Sequence, residues 1–414
     1  MALPCFFSIG SSVFPRAVVG RNGALAYRMM IVRNAGFGGE DFRNQVDAAT
    51  SEQADYLRTA VERLARYRAL STLPYTKSAE WSRCIDTVAP RASFMGRLTS
   101  RVGIPDPALI LRLLWRANRY DVVLLAGGER ADLLYLALAG ILPWIRTPHV
   151  IVDAHWQKSA GLAGVVQTLL LRMGRRLTRQ VQPHSPEEIE IYRRLFAIPE
   201  ERMRAIPWST TLTGYDIAVP DVPEDFILTG GYSFRDYDTF LRAVRSLPVR
   251  VEIGIPRAYV SSQVFVLATG NPNVSIVSDW DNRQYLNRTA QCRIFAMPIS
   301  PGMTRCTADQ TILNAMYLGR IVVATDSIAS RLYIQDGVNG FLVREGSIED
   351  WLRVLRTVLA LDPERDREVR VRAAYDARVH FNEALRIART LHAAADAIEG
   401  VRVETPAYSP SGDA

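Results

Sequence analysis

The chain has 414 residues, which exceeds one ordinary α/β domain and, at about 150 residues per domain, predicts two or three domains. Its composition, 48% hydrophobic and 22% charged, is typical of a globular protein and excludes an intrinsically disordered chain. The formal net charge is +7, but the sequence has no block of consecutive basic residues and no nucleic-acid-binding motif, so we expect no nucleic-acid partner.

The N-terminal segment and the apolar runs do not indicate a leader or a membrane span. Residues 1–20 lack a basic stretch before their apolar residues, which makes them a poor signal peptide. The longest apolar run, 133–145, contains Gly140 and Pro143 and falls short of the roughly 20 residues that cross a bilayer. Four cysteines without CxxC spacing argue against a zinc site or a disulfide framework: Cys5, Cys84, Cys292 and Cys306. We therefore expect a protein of the reducing cytoplasm that holds no metal.

Short apolar runs alternate with longer segments of helical period, a pattern typical of parallel sheets covered by helices. The runs are continuous rather than alternating, which indicates strands buried on both faces. They fall into two sets. In chain order, the first set is 29–32, 121–128, 149–156 and 179–185, and the second is 226–231, 250–254, 263–270, 292–299 and 320–327.

A proline-rich segment separates the two sets and predicts a linker at 207–223. We expect an N-terminal domain at 1–206 and a C-terminal domain at 224–378, each built on a parallel sheet. A closing helix is predicted at 379–400, ended by Gly400, followed by a disordered tail at 401–414. Two such sheets that face each other leave a cleft at the carboxyl ends of their strands, where these sheets bind ligands.

The segment 300–343 carries the most information about function. A glycine-containing loop after a strand leads into a helix at 308–318, then a tight glycine turn, a buried strand and a DGxNG turn. Backbone N–H groups at that helix start can hold an anion such as a diphosphate. Any α/β unit can show this pattern, so on its own it is a weak signal.

The same segment resembles the donor-binding signature of retaining family 4 glycosyltransferases, through NAMYLGRIVVATD followed by DGVNGFLV. TGGYSFRDY at 229–237 is similar to the loop with which that family holds the donor diphosphate, and HFNEALRIARTL is similar to its closing helix. The N-terminal half matches loosely, through YDVVLLAGG, IVDAHWQ and HSPEEIEIY, and residues 1–100 match nothing recognisable. The resemblance implies a GT-B fold and metal-independent hexosyl transfer with retention from a nucleotide sugar, with no other cofactor, to an unknown acceptor.

The resemblance also implies roles for particular residues. Gly230, Gly231, Tyr232 and Arg235 would form the diphosphate loop, with Arg235 stabilising the leaving group, and Asn314 would bind the ribose. His155 would face the sugar from the N-terminal domain. Asp309 would be a further catalytic residue that contacts the sugar hydroxyls. The remaining sugar and donor contacts would come from Thr304, Thr307, Gln310 and Thr311, and a first glycine loop from Gly36, Gly38 and Gly39. Cys306 and Asn314 stand where the family usually carries two glutamates, and an amide can still bind a ribose hydroxyl whereas a thiol offers a sugar little.

Simpler interpretations stand beside these. Arg235 is also explained by a surface cluster with Asp236 or Asp238, His155 by structural packing, and the glycines, Gly127 and Gly128 included, by ordinary turns. We interpret His184 as structural. The helix at 161–179, with apolar residues on one face and an arginine edge, is explained by packing on the N-terminal sheet more readily than by contact with an anionic membrane. A nucleotide-sugar epimerase and a catalytically silent nucleotide-sugar-binding or partner-binding protein are the rival functions.

Overall fold

The computed structural model describes residues 39–73, 75, 78–88, 106–128, 130–212 and 215–401. Within them, two separate parallel sheets are each covered by helices on both faces, as the alternating pattern predicts. The predicted strand at 29–32 and the predicted tail beyond residue 401 lie outside the described residues.

The N-terminal sheet has five strands in the order β2-β1-β3-β4-β5, all parallel. Its strands are β1 Ala69–Ser71, β2 Ile85–Thr87, β3 Val122–Ala126, β4 His149–Val152 and β5 Thr178–Val181. The strands predicted at 121–128, 149–156 and 179–185 are confirmed as β3, β4 and β5. The strands β1 and β2 were not predicted, because three residues are too few to show a hydrophobic period.

The C-terminal sheet has six parallel strands in the order β11-β10-β9-β6-β7-β8. Its strands are β6 Glu224–Gly230, β7 Arg250–Gly254, β8 Val274–Val277, β9 Cys292–Met297, β10 Ile321–Thr325 and β11 Phe341–Val343. The strand predicted at 263–270 is wrong: the segment is a helix, with Ser261 accepting a hydrogen bond from Val264 N as its N-cap. A short apolar run does not by itself distinguish a strand from a helix, and β8 follows it in the sheet instead.

The helices are numbered in chain order over the described residues. In the N-terminal half they are α1 Gly39–Leu64, α2 Ala79–Cys84, α3 Pro107–Arg116, α4 Arg130–Ile141, α5 Gly161–Gly174 and α6 Pro186–Phe196. In the C-terminal half they are α7 Tyr237–Val244, α8 Ser262–Thr269, α9 Asn282–Gln291, α10 Asp309–Tyr317, α11 Ile328–Tyr333, α12 Ile348–Leu359, α13 Pro363–Val379 and α14 Glu383–Glu399. The helix predicted at 308–318 is therefore α10.

The closing helix predicted at 379–400 is α14, which begins four residues later than predicted. The helix α13 ends at Val379, and Asn382 starts α14 by accepting a hydrogen bond from Leu385 N. The left-handed backbone of Gly400 (φ 71°) ends α14, where a glycine carries no Cβ penalty. Buried residues of α14, among them Ile387 and Leu391, pack with α1 and the N-terminal sheet. The chain thus returns from the second sheet to the first.

No helix among the described residues is long and apolar enough to cross a membrane. Three cysteines of the described chain, Cys84, Cys292 and Cys306, are buried as free thiols.

Candidate functional site

The N-terminal side of the cleft is formed by the residues that follow β4 and β5. Asp153, directly after β4, has a left-handed backbone (φ 55°), an unusual conformation for a residue with a side chain. His155 follows two residues later, and His184 stands between β5 and α6. The rings of His155 and His184 stack with their centroids 6.0 Å apart. Two histidines and an aspartate that follow two neighbouring strands therefore meet at one sheet edge.

His184 is 4% exposed and lies between two carboxylates. Its Nε2 is 3.6 Å from Asp153 Oδ1, and its Nδ1 is 3.6 Å from Asp309 Oδ1 across the cleft. At these distances the contacts are ion pairs rather than hydrogen bonds. Burial lowers the pKa of His184, but the two carboxylates outweigh it and raise the pKa to about 9. The imidazolium therefore joins the two domains at neutral pH.

Asp153 is held by residues from three parts of the chain. Arg386 of α14 pairs with its Oδ1, and Tyr75 donates a hydrogen bond to its Oδ2 (3.3 Å). The guanidinium of Arg386 also lies over the ring of Trp208, 3.7 Å from its centroid. Burial raises the pKa of Asp153, but Arg386 and His184 together hold it well below its usual range. The carboxylate thus stays ionised although it is buried, because cations surround it.

His155 differs from its neighbour because it is neutral. Its Nδ1 donates to the backbone oxygen of Asp153 (2.6 Å), which leaves Nε2 as an acceptor. Burial, together with the charges of His184 and Arg305, lowers the pKa of His155 to about 4. A Cβ on Gly128 would lie 2.5 Å from His155 Cε1, so only glycine fits beside the ring. Gly127 likewise approaches the backbone of Ala154, so both glycines serve packing within the N-terminal domain.

Glu188 contacts the backbone of the opposite domain, a feature that the sequence analysis did not identify. It forms a capping box with Ser185 at the start of α6, and its Oε1 accepts a hydrogen bond from Cys306 N (2.8 Å). Burial raises its pKa, although backbone N–H groups act in the opposite direction. Gln157 makes a second bridge, with its Oε1 accepting from both N and Oγ1 of Thr304. The Ser-x-x-Glu spacing was the available sequence signal for Glu188.

The C-terminal side of the cleft is built from two loops that are hydrogen-bonded to each other. Asp236 N donates to Pro298 O (3.1 Å), and Ser300 N donates to Phe234 O (3.0 Å). The first loop follows β6 and contains the predicted Gly230, Gly231, Tyr232 and Arg235. The second follows β9 and leads to α10. The predicted phosphate loop and the predicted sugar-contacting loop therefore form one unit.

Arg235 lies within the first loop, partly buried. Its Nε donates to Gly230 O (3.2 Å) and its Nη1 to Ser233 O (2.6 Å). Burial lowers its pKa. The alternative of a surface cluster is wrong: Asp238 pairs with Arg242 at 2.9 Å, and Asp236 caps α7. Within the described chain, Arg235 forms no ion pair with a carboxylate.

The loop geometry around Arg235 requires glycine. Gly231 has φ of 90°, and a Cβ there would lie 2.9 Å from Arg235 Nη2. Tyr232 is 41% exposed and stacks on Tyr259 after β7, with ring centroids 4.0 Å apart and planes 10° apart. A flat aromatic surface therefore lies beside the guanidinium at the same edge of the sheet.

The start of α10 carries the other predicted donor residues. Ala308, the N-cap, has a left-handed backbone (φ 71°) and no side chain that could cap the helix. Thr307 and Asp309 are buried, Thr311 N donates to Ala308 O (3.0 Å), and Gln310 is exposed. Asp309 Oδ1 accepts from the Tyr333 hydroxyl (2.7 Å) and faces His184, so its carboxylate is directed at protein groups.

Asn314 is 7% exposed and contacts the linker between the domains. Its Oδ1 accepts from Thr211 N (3.0 Å), and its Nδ2 donates to Thr211 Oγ1 (3.0 Å). Gln310 Nε2 donates to the same hydroxyl (2.9 Å). Cys306 is 1% exposed, and burial raises the pKa of its thiol well above the usual range. Among the predicted glycine loop, Gly39 begins α1, and Gly36 and Gly38 lie outside the described residues.

Comparison with known proteins gives one family match and several similar structures. Residues 267–360 match the family described as glycosyl transferases group 1, and this range includes the segment predicted to bind the donor. A glycosyltransferase from Rickettsia africae has a similar structure (TM-score 0.58, 14% identity, 80% of this chain and 98% of that one). Anabaena HepE in complex with UDP and glucose is similar too (0.57, 15%, 82% and 95%), as is a sucrose-phosphate synthase from Thermosynechococcus elongatus (0.53, 17%, 74% and 81%). No curated protein sequence matches the chain.

These likenesses confirm the predicted fold class. The chain has the two-domain architecture of GT-B glycosyltransferases, with an open parallel sheet in each domain, and residues 267–360 match the glycosyl transferases group 1 family.

Proposed function

We propose that this chain is a retaining glycosyltransferase that moves a hexosyl group from a nucleotide sugar to an acceptor hydroxyl. The observation that carries the proposal is the meeting of Arg235, the uncapped start of α10 and the neutral His155 at one cleft between two parallel sheets. The first two groups attract an anion, and the third offers an acceptor to a hydroxyl group.

The donor diphosphate would bind between Arg235 and the N-terminus of α10. The guanidinium has N–H groups beyond those that it donates to Gly230 and Ser233, and the helix dipole adds partial positive charge. Cleavage of the bond between the sugar C1 and the diphosphate oxygen leaves negative charge on that oxygen, which both groups stabilise. The acceptor oxygen forms the new bond to C1, and its proton passes to the departing diphosphate.

Asn314 would bind the ribose, with Thr211 fixing its orientation. Each amide atom makes one hydrogen bond to Thr211, and an amide oxygen or nitrogen can make two. One acceptor position and one N–H therefore remain for two ribose hydroxyls. The aromatic surface of Tyr232 and Tyr259 supports a place for the base beside the loop, because a base stacks well on a flat ring.

The sugar would lie between His155 and the loop of Thr304 and Thr307. With Nδ1 donating to Asp153 O, the Nε2 of His155 would accept a hydrogen bond from a sugar hydroxyl. Asp309 would act as a positioning residue, because its carboxylate contacts Tyr333 and His184 rather than open space. Retention, metal independence and the hexosyl identity of the donor follow from the family resemblance and belong to the proposal.

The proposed location is the cytoplasm. The buried free thiols of Cys84, Cys292 and Cys306 support a reducing compartment. The acceptor would be a glycan, a lipid or a small molecule.

Calorimetry with UDP, GDP and ADP tests the donor site. Arg235→Ala should weaken the binding of the preferred nucleotide by about 1.5–3 kcal/mol, the range for a hydrogen bond to a charged group. The matched control is Arg242→Ala, which removes an exposed arginine that pairs with Asp238 on α7. Equal affinity in both variants, with the fold intact, contradicts the site.

A screen of nucleotide sugars with the purified protein tests the reaction. Transfer or donor hydrolysis that persists in EDTA, with the donor's anomeric configuration kept in the product by NMR, is the expected result. A donor that binds without transfer or hydrolysis indicates a silent binding protein, and release of an isomerised donor indicates an epimerase. Either of these results overturns the proposed reaction.

A further inference from the structure

The helix α5 packs in a way that the sequence analysis did not expect. Its buried residues are Gly164, Leu171 and Gly174, whereas most of its other large apolar residues are exposed or half-buried. A Cβ on Gly174 would lie 2.5 Å from Leu136 Cγ in α4, and one on Gly140 of α4 would lie 2.0 Å from Met173 O. The two helices therefore approach each other through glycine. The segment does pack on the N-terminal sheet through Leu171 and Leu177, but that interpretation is wrong for the first half of the predicted apolar face.

The close approach leaves an apolar stripe on the outside of α5. Leu162 is 79% exposed, Val165 64%, Val166 46% and Leu169 54%. Their spacing of three and four residues places them along one side of the helix. Isolated exposed apolar residues are ordinary, but a contiguous stripe marks an interaction surface.

The neighbouring helices on the same side of the sheet also carry exposed apolar residues. The helices α3, α4 and α5 contribute to one core on the same face of the N-terminal sheet, with α4 in contact with both others. Trp115 of α3 is 67% exposed, and Trp144, after α4, is 62% exposed. The two lie near one another, because Asn118, just after α3, donates to Trp144 O (2.8 Å). Leu111 and Ile141 are also exposed large apolar residues. We call the surface formed by these residues and the α5 stripe the outer face.

Arginines predominate among the exposed charged residues of the segments that form the outer face, with Asp121 as an exposed acidic neighbour of Arg119. Five exposed arginines lie in these segments or close to them in the chain: Arg119, Arg146, Arg172, Arg175 and Arg179. Within the part of the chain that the structure describes, none of these five forms an ion pair with a carboxylate. The acidic residue of α3, α4 and α5 is Asp132, which is buried. Arg119 lies over the ring of Trp115, 4.0 Å from its centroid.

We propose that the outer face docks the protein on the surface of an anionic lipid bilayer. Leucine, valine and tryptophan side chains enter the interface between head groups and acyl chains, while the surrounding arginines contact anionic head groups. A second copy of the chain fits this face poorly, because a two-fold contact would bring unpaired arginines against each other. This docking is independent of whether the protein transfers sugar.

The position of the outer face relates it to the cleft. The helix α5 begins at Gly161, four residues after Gln157, and Gln157 contacts Thr304 on the other side of the cleft. Docking through α5 therefore brings the mouth of the cleft close to the bilayer.

Sedimentation of the full chain with vesicles tests the proposal. Vesicles of phosphatidylcholine with phosphatidylglycerol should bind the protein at low salt, and pure phosphatidylcholine should not. Raising the salt from about 0.05 M to about 0.5 M should release it, because the Debye length falls severalfold. Replacing Arg172, Arg175 and Arg179 with glutamine should weaken binding by about fivefold for each charge removed, the size expected near an anionic surface.

The variant L162S/V165S/L169S tests the apolar contribution to membrane docking and should weaken vesicle binding at least tenfold. The matched control is F265S/V266S, which changes two similarly exposed residues of α8 in the other domain (57% and 64% exposed) and should bind normally. Thermal unfolding of each variant shows that the fold persists. In the wild type, tryptophan fluorescence should shift to the blue on binding, and W115F/W144F should abolish the shift.

Three results would overturn the proposal. The first is that the wild type does not bind anionic vesicles at low salt, and the second is that the α5 and α8 variants bind equally well. The third is that the wild type binds no vesicles but forms a dimer in solution, which L162S/V165S/L169S converts to a monomer. The last result would assign the outer face to a second copy of the chain.

Discussion

Replacing Asp309 with asparagine removes one of the two carboxylates that face His184, while it keeps the size of the side chain. In the wild type, the pKa of His184 is raised to about 9, so the ring is protonated in about 99% of the molecules at pH 7. A carboxylate within about 4–6 Å changes a partner's pKa by about 1–3 pH units. Asp309→Asn should therefore lower the pKa of His184 to between about 6 and 8.

The assay is NMR of histidine labelled with ¹³C at Cε1. The chain has five histidines, so the spectrum is simple. The pKa of His149 and that of His155 are both lowered to about 4, chiefly by burial. Burial also lowers the pKa values of His380 and His392. His184 should thus give the one signal with a midpoint above pH 7, and His184→Gln identifies it by its loss.

The same charge predicts how stability changes with pH. Because the folded pKa of His184 is higher than the ordinary value of 6.5, the folded chain binds more protons than the unfolded chain between these values. The resulting contribution to the free energy of unfolding is complete below about pH 6.5 and is lost as the pH rises through about 9. A pKa difference of one pH unit is worth about 1.4 kcal/mol, so this contribution amounts to about 3 kcal/mol. Denaturant unfolding of the wild type should lose most of this between pH 6.5 and 8.5, and His184→Gln should not.

Glu188 and His155 also interact electrostatically with His184. His155, with its pKa lowered to about 4, is neutral between pH 6.5 and 8.5, and comparison with His184→Gln separates the contribution of His184 from that of Glu188. A wild-type midpoint for His184 at or below 6.5 would refute the ion-pair reasoning. An unchanged midpoint in Asp309→Asn would show that this carboxylate does not reach the ring.

Three further substitutions test the donor and sugar sites. Asn314→Ala should weaken donor binding, measured by calorimetry, by about 1–3 kcal/mol because the ribose loses its amide partner. Thr211→Val should have a smaller effect, because it removes only the hydroxyl that orients Asn314. Cys306→Ala should leave turnover nearly unchanged, since its buried thiol faces the core, and should lower the unfolding free energy by about 1 kcal/mol for the small cavity. Gly128→Ala should reduce turnover at least tenfold and leave the affinity for the nucleoside diphosphate alone unchanged, because the new Cβ displaces the ring of His155 from the proposed sugar position.

The control for Gly128→Ala is Gly270→Ala, where the nearest atom to a new Cβ is a backbone oxygen at 3.3 Å. Equal turnover in these two glycine variants would contradict the role of His155. Normal donor affinity in Asn314→Ala would remove the ribose assignment. A large loss of turnover in Cys306→Ala would mean that its thiol contacts substrate after all.

The local sequence determined the layers of the fold and the position of the segment that matches the glycosyl transferases group 1 family. Runs such as 292–299 and 320–327 are strands because a continuous apolar run between turns fits a sheet buried on both faces. The glycine turn after Tyr317 and the break at Gly400 also depend on nearest neighbours, so they could be identified from the sequence. The run at 263–270 has the same apolar character but is α8, because a short apolar run carries no period that separates the two states.

The tertiary structure alone decided which side chains meet. His184 and Asp309 are 125 residues apart in the numbering. Arg386, in the helix that returns from the second sheet to the first, pairs with Asp153. No local pattern encodes such contacts, so a histidine interpreted as structural became the charged centre of the cluster. The helix α5 shows the same limit: its periodicity marks an apolar side, but only the glycine contact with α4 determines that this side faces outward. Periodicity fixes the direction of side chains within an element, whereas packing against other elements fixes what each side contacts.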